Sequence, residues 1–139
     1  YKELSGCGIG FKLIEAFAQK NNIPFDEVKQ YLDLVAVSIA SDIVPIDGEN
    51  RILAIFGLKQ LNENPRHGFK ALIEQRGLKK ELVINDIVFV IGPRINAAGI
   101  MDDARKAVKL FISEETKSAN NHEEVLQQQA RERQHNRPY

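Results

Sequence analysis

Asp42 is the residue whose placement most needs a chemical explanation. It follows the apolar run Leu34-Val35-Ala36-Val37-Ser38-Ile39-Ala40 and precedes Ile43 and Val44. A carboxylate in apolar surroundings is costly unless a cation or donors meet it. The C-terminal end of a helix adds partial negative charge and makes an anion there worse still. A nearby cation would resolve both problems, whether a bound ion or Arg51, and so would a local turn capped by the carboxylate. Buried acids are often structural, so the residues alone leave both readings open.

Arg94-Ile95-Asn96-Ala97-Ala98-Gly99 is a second candidate. Its small residues allow a close backbone approach, so Arg94 and Asn96 could present donors to a phosphate or carboxylate. A tight helix–helix contact explains the same pattern. Gly6, Gly8 and Gly10 alternate at a helix start, where anions can bind. They lack the preceding strand and the lysine of a nucleotide loop, so helix packing is the default. His67, His122 and His135 gather no site, and Cys7 has no histidine partner at a recognisable spacing. Lys59, Arg66, Lys70, Arg76, Lys79 and Lys80 form a local basic region that could touch a nucleic-acid backbone. Such clusters are more often solvated surface. A hydrolytic metal centre needs several carboxylate or histidine ligands. Only Asp42 is well placed, so these residues by themselves complete no site.

The elements that must position these residues read as helices. The chain has 139 residues, enough for one modest domain or part of a larger one. Nineteen basic and nineteen acidic residues balance, so no whole-chain field attracts polyanions. The single cysteine excludes an internal disulfide and fits a reducing cytoplasm. No apolar run reaches the ~20 residues of a membrane span. A helix is predicted from Ser5-Gly6 to about Asn21, with Ile9, Leu13, Ile14 and Phe17 on one face. A second starts near Asp26, carries Val28, Leu32, Val35 and Ile39 inside, and ends where Pro45 disfavours helical geometry at Val44. Asn50 caps a third, with Leu53, Phe56 and Leu61 inward. Asn64-Pro65 turns into a short helix with Phe69, Leu72 and Ile73, ended by Gly77. Asn85 and Asp86 cap Ile87 to Ile91, read as helix despite its β-branched content. Gly92-Pro93 interrupts the chain. Asp102-Asp103 opens a last helix with Ala104, Val108 and Phe111 inside. Residues 113–139 are nearly all polar and read as a linker helix or tail. Tyr1 at the start and this polar end both read as cuts through a longer protein.

Three stretches together resemble the RecJ-like single-stranded-DNA exonucleases of the DHH phosphoesterase family. The first, Leu4-Ser5-Gly6-Cys7-Gly8-Ile9-Gly10-Phe11-Lys12-Leu13, is similar to the glycine-rich helix start that follows the family's Asp-His-His motif. The second runs from Leu32 to Ile46 through Ala40-Ser41-Asp42-Ile43-Val44-Pro45, then Asp47-Gly48-Glu49-Asn50-Arg51. It looks like the family's fourth motif. The third is Gly92-Pro93-Arg94-Ile95-Asn96-Ala97-Ala98-Gly99 with Met101-Asp102. Their order and spacing match over about residues 4 to 112.

The resemblance implies a mainly α chain: the C-terminal helical part (1–112) of an α/β DHH-type catalytic domain, then the start of the interdomain linker helix (113–139). It implies that Asp42 binds a catalytic divalent metal, manganese or magnesium. Arg94 and Asn96 would contact substrate, with Arg51 supporting. The parent would be a cytoplasmic nuclease of DNA repair and recombination that degrades single-stranded DNA from the 5′ end. Its partners within the same protein would be the upstream Asp-His-His motifs and the downstream DHHA1 domain. This segment alone would be inactive. Ser41 stands where alanine is common, and Ile100 where the family usually has arginine. Two other readings remain at this point: a DHH-family enzyme acting on short oligonucleotides or nucleotide phosphates, and a helical interaction module without chemistry.

Overall fold

A computed structural model describes residues 1–42, 44–77, 81–95 and 104–113. Every regular element among them is helical, and none is a strand. No helix among them is long and apolar enough to cross a membrane. The chain divides into two compact units, Tyr1–Asn64 with Glu81–Gly92, and Pro65–Lys80 with Pro93–Tyr139.

In the first unit, α1 runs Gly6–Lys20. Ser5 caps it, its Oγ accepting the Gly8 N–H at 3.2 Å, which satisfies one of the donors a helix start leaves open. Ile9, Leu13, Ile14 and Phe17 do share a face, but it is the exposed one, with Leu13 73 % and Phe17 60 % accessible. The opposite face, Gly8, Phe11 and Ala18, enters the core. Phe11 is 3 % exposed and meets the Phe25 ring edge-on at 6.5 Å between centroids. Periodicity finds an apolar stripe but cannot choose between two such stripes. Substituting Phe11 with Ala should cost about 3–5 kcal/mol, and Leu13→Ala less than about 0.5 kcal/mol. Chemical denaturation of the chain measures both. Equal losses would mean that α1 turns its other face inward.

The predicted second helix is broken. It starts at Phe25 as α2 (Phe25–Val28), tightens into a 3₁₀ turn over Lys29–Tyr31, and resumes as α3 (Leu32–Ser41). α3 is the centre of the unit and packs against α1 and α4 (Gly48–Glu63). Val35, Ala36, Val37, Ile39 and Ala40 are all buried, as the run without polar breaks required. Its crossing with α4 is close because Gly57 has no side chain. A Cβ there would lie 2.2 Å from the Leu32 carbonyl oxygen and 2.6 Å from Ala36 Cβ.

Asn50 is not the cap of α4. Asp47 holds that position, and Asn50 is fully buried in the first turn. Its Nδ2 donates to the Glu3 carbonyl at 2.6 Å and the Pro45 carbonyl at 3.0 Å. It therefore ties the segment before α1 and the loop after Asp42 to α4. Of the predicted inward residues of α4, Leu53 and Leu61 are buried, but Phe56 is 56 % exposed. Lys12 of α1 bridges Glu15 at 2.9 Å and Glu49 of α4, and these carboxylates raise its pKa. Tyr1 donates its hydroxyl to the Asp47 carboxylate, which pushes its pKa up to about 12.

The unit closes with α6 (Ile84–Asp86) and a π-helix over Ile87–Ile91 that packs on α3. The helical reading of Ile87 to Ile91 holds. Val83 occupies the cap position, and its N–H donates to the Asp86 carboxylate at 3.0 Å. Gly92-Pro93 does not interrupt the chain: residues 92–95 remain helical. Gly92 donates its N–H to the Ile87 carbonyl, so the proline's missing donor falls just past the π turn.

The second unit contains α5 (His67–Gln75) and α7 (Ala104–Ile112). They approach at Gly68, where a Cβ would lie 2.5 Å from the Leu110 carbonyl oxygen. Phe69 is fully buried and its ring meets Phe111 at 4.7 Å. Leu110 of α7 is buried, whereas Val108, predicted inward, is exposed. Gly77 ends α5 with positive φ, as predicted. The predicted start of the last helix at Asp102-Asp103 and the tail to Tyr139 lie outside the described residues.

Candidate metal site

Asp42 is the C-terminal cap of α3, and its backbone N–H donates to the Ser38 carbonyl at 2.9 Å. Its side chain is exposed rather than immersed in apolar surroundings. The buried apolar stripe of α3 ends at Ala40, and Asp42, two residues on, is exposed. Arg51 is also exposed, and the ion pairs among the described residues do not include one between Arg51 and Asp42, the pairing that one of the two readings of Asp42 invoked.

Ser38 is the side chain that meets Asp42. Its hydroxyl donates to Asp42 Oδ2 at 2.9 Å. The Ser38 Oγ in turn accepts the Cys7 backbone N–H from the first turn of α1 at 3.4 Å. The positive end of the α1 dipole thus lies near a carboxylate that the α3 dipole disfavours. No described residue hydrogen-bonds Oδ1, which leaves that oxygen open. Sequence reading had no signal for Ser38: the i,i+4 spacing to Asp42 was visible, but the α1 start beside it was not.

The other predicted positions give less. Arg94 is helical, belongs to the second unit and is partly buried. Asn96, Ala97, Ala98, Gly99 and Ile100 lie outside the described residues, as do Lys79, Lys80, His122 and His135. A Cβ on Gly6 or Gly10 would meet nothing within 4 Å, so packing among described residues does not demand glycine there. Cys7 is free and exposed. Within the basic region, Lys59 faces Glu63 at 3.7 Å and Lys70 faces Glu74 at 4.0 Å, each along its own helix. His67 is the first residue of α5. Reading the sequence also passed over Asp33, which is buried and accepts the Leu34 N–H at 2.7 Å.

The donor chemistry tests whether a metal fits. A carboxylate with an open oxygen is a hard ligand suited to magnesium or manganese. No group of three or more His, Cys, Asp or Glu side chains gathers among the described residues. Asp42 therefore fits as one ligand of a centre whose other ligands are not among them.

No protein-family model matches the chain. It is similar to the single-stranded-DNA-specific exonuclease RecJ of Bacillus subtilis, 38 % identical over 135 residues, 96 % of this chain and 16 % of that protein. The Escherichia coli protein of the same name is 36 % identical over 123 residues, 80 % of this chain and 21 % of that protein. The crystal structure of RecJ with Mg²⁺ from Thermus thermophilus superposes with a TM-score of 0.84 at 30 % identity, over 96 % of this chain and 21 % of that one. A crystal structure of exonuclease RecJ bound to manganese gives 0.83 at 30 % identity, over 96 % of this chain and 34 % of that one. The chain thus spans about a sixth to a fifth of the length of these two curated relatives.

Proposed function

We propose, from this chain's membership of the RecJ-like proteins, that it supplies one metal ligand and part of the substrate cleft to a metal-dependent exonuclease acting on single-stranded DNA. The observation that carries the reading is the exposed Asp42 carboxylate. It is held through one oxygen by Ser38 and open at the other, within the segment most similar to the family's fourth motif. A divalent cation bound there would supply Lewis-acid stabilisation of the negative charge developing on the phosphoryl oxygens. Asp42 holds its carboxylate outward for that role. Arg94 and Asn96 offer donors to the strand, with Arg51 in a supporting role. The longer protein releases nucleotides from the 5′ end, in DNA repair and recombination. The Mg²⁺- and Mn²⁺-bound relatives support the choice of cation. Among the described residues no group of three or more metal-ligating side chains gathers, so the reading predicts that residues 1–139 alone show no nuclease activity.

The test is degradation of a labelled oligonucleotide by the full-length protein with Mn²⁺. Single strands should be shortened from the 5′ end, blunt duplexes should resist, and a chelator should stop the reaction. The 139-residue chain should show none of this. Equal degradation of duplex, or Mn²⁺-dependent cleavage by the short chain, would defeat the reading.

A further inference from the structure

We propose that Ser38 is a positioning residue: its hydroxyl, fixed by the start of α1, orients the Asp42 carboxylate for the cation. The inference rests on reading Asp42 as a metal ligand, and it adds a residue that this reading does not itself require.

A serine hydroxyl has one hydrogen to donate and two lone pairs to accept with. The Cys7 N–H takes up a lone pair at 3.4 Å. The hydrogen goes to Asp42 Oδ2 at 2.9 Å. The α3 helix sets the distance between Ser38 and Asp42, because residues four apart lie on one face. The orientation of the hydroxyl comes from a different helix. Asp42 is thus steered by α1 through Ser38, although no residue of α1 touches it directly by hydrogen bond. Without this link an exposed aspartate at a helix end would sample several rotamers and lose that freedom on binding a metal. With it, Oδ2 is fixed and Oδ1 is left as the oxygen for the cation. A partner that orients a ligand in this way is worth about tenfold or more in metal affinity.

The experiment is Mn²⁺ binding to the full-length protein, read from the electron paramagnetic resonance signal of free Mn²⁺. Wild type, Ser38→Ala, Ser38→Thr and Asp42→Asn are compared, with thermal midpoints measured alongside. Ser38→Ala should bind Mn²⁺ about tenfold more weakly, with an unchanged midpoint and an exonuclease rate restored by excess Mn²⁺. Ser38→Thr keeps the hydroxyl and should bind close to wild type. A Ser38→Ala protein with wild-type Mn²⁺ affinity, beside an Asp42→Asn protein that has lost a site, would overturn the Ser38 proposal and leave the Asp42 reading standing. Equal weakening in Ala and Thr variants would also overturn it, because the hydroxyl would then not be the cause. Unchanged Mn²⁺ binding in Asp42→Asn would overturn both.

Discussion

Replacing Asp42 with Asn in the full-length protein should lower its Mn²⁺-dependent exonuclease rate about a thousandfold, or ~4 kcal/mol of transition-state stabilisation. Asparagine keeps the shape and one oxygen, and it can still accept from Ser38. It removes the negative charge, which is what a hard divalent cation most needs from a ligand. The fold should not suffer. Asp42 is exposed, forms no ion pair with Arg51, and caps α3 through its backbone N–H. Surface changes of this kind lie within about 0.5 kcal/mol. Rate and thermal midpoint measured on the same preparation therefore separate the readings. A variant that keeps its midpoint and loses its rate marks Asp42 as part of the chemistry. One that retains its rate within about tenfold, less than ~1.4 kcal/mol, would return Asp42 to a structural role.

Gly57→Val should destabilise the chain by about 3 kcal/mol or more. Replacing a mid-helix glycine normally helps, since alanine is favoured by about 1 kcal/mol. Here steric cost dominates. The first atom of any side chain would lie 2.2 Å from the Leu32 carbonyl oxygen and 2.6 Å from Ala36 Cβ. The Leu32 oxygen is backbone, so no side-chain rotation relieves the contact. α3 and α4 must separate, and the buried run Val35, Ala36 and Ile39 loses its packing. For a unit this size the midpoint should fall by roughly 12–24 °C. Gly57→Ala separates the opposing effects: a net loss shows that close approach outweighs propensity. A neutral or stabilised Gly57→Ala chain would mean that the crossing has slack.

Much of the local structure was legible in the residues. Ser5 marked the start of α1, Gly77 ended α5, and the unbroken apolar run from Leu34 to Ala40 marked a helix buried on most sides. The candidate positions were legible as well: the order of three short motifs pointed to Asp42 before any coordinate did. These features depend on neighbours within a few positions, where backbone preference and side-chain period act directly.

What only the tertiary structure decided depends on residues distant in sequence. Which stripe of α1 faces the core was such a case, because Phe11 meets Phe25 and α3 while Leu13 and Phe17 stay outside. Asn50 was another: its partners are 47 and 5 residues away, so the cap expected of it became a buried tie. The environment of Asp42 was the third. The sequence by itself determined that a carboxylate ends α3, and the metal-ligand role proposed for it comes from the resemblance of the flanking motifs. Only the packing of α1 beside α3 brought the Cys7 N–H to Ser38 and left Asp42 exposed with one oxygen held. A hydrogen-bond partner supplied by another helix is set by packing geometry, which local pattern does not encode.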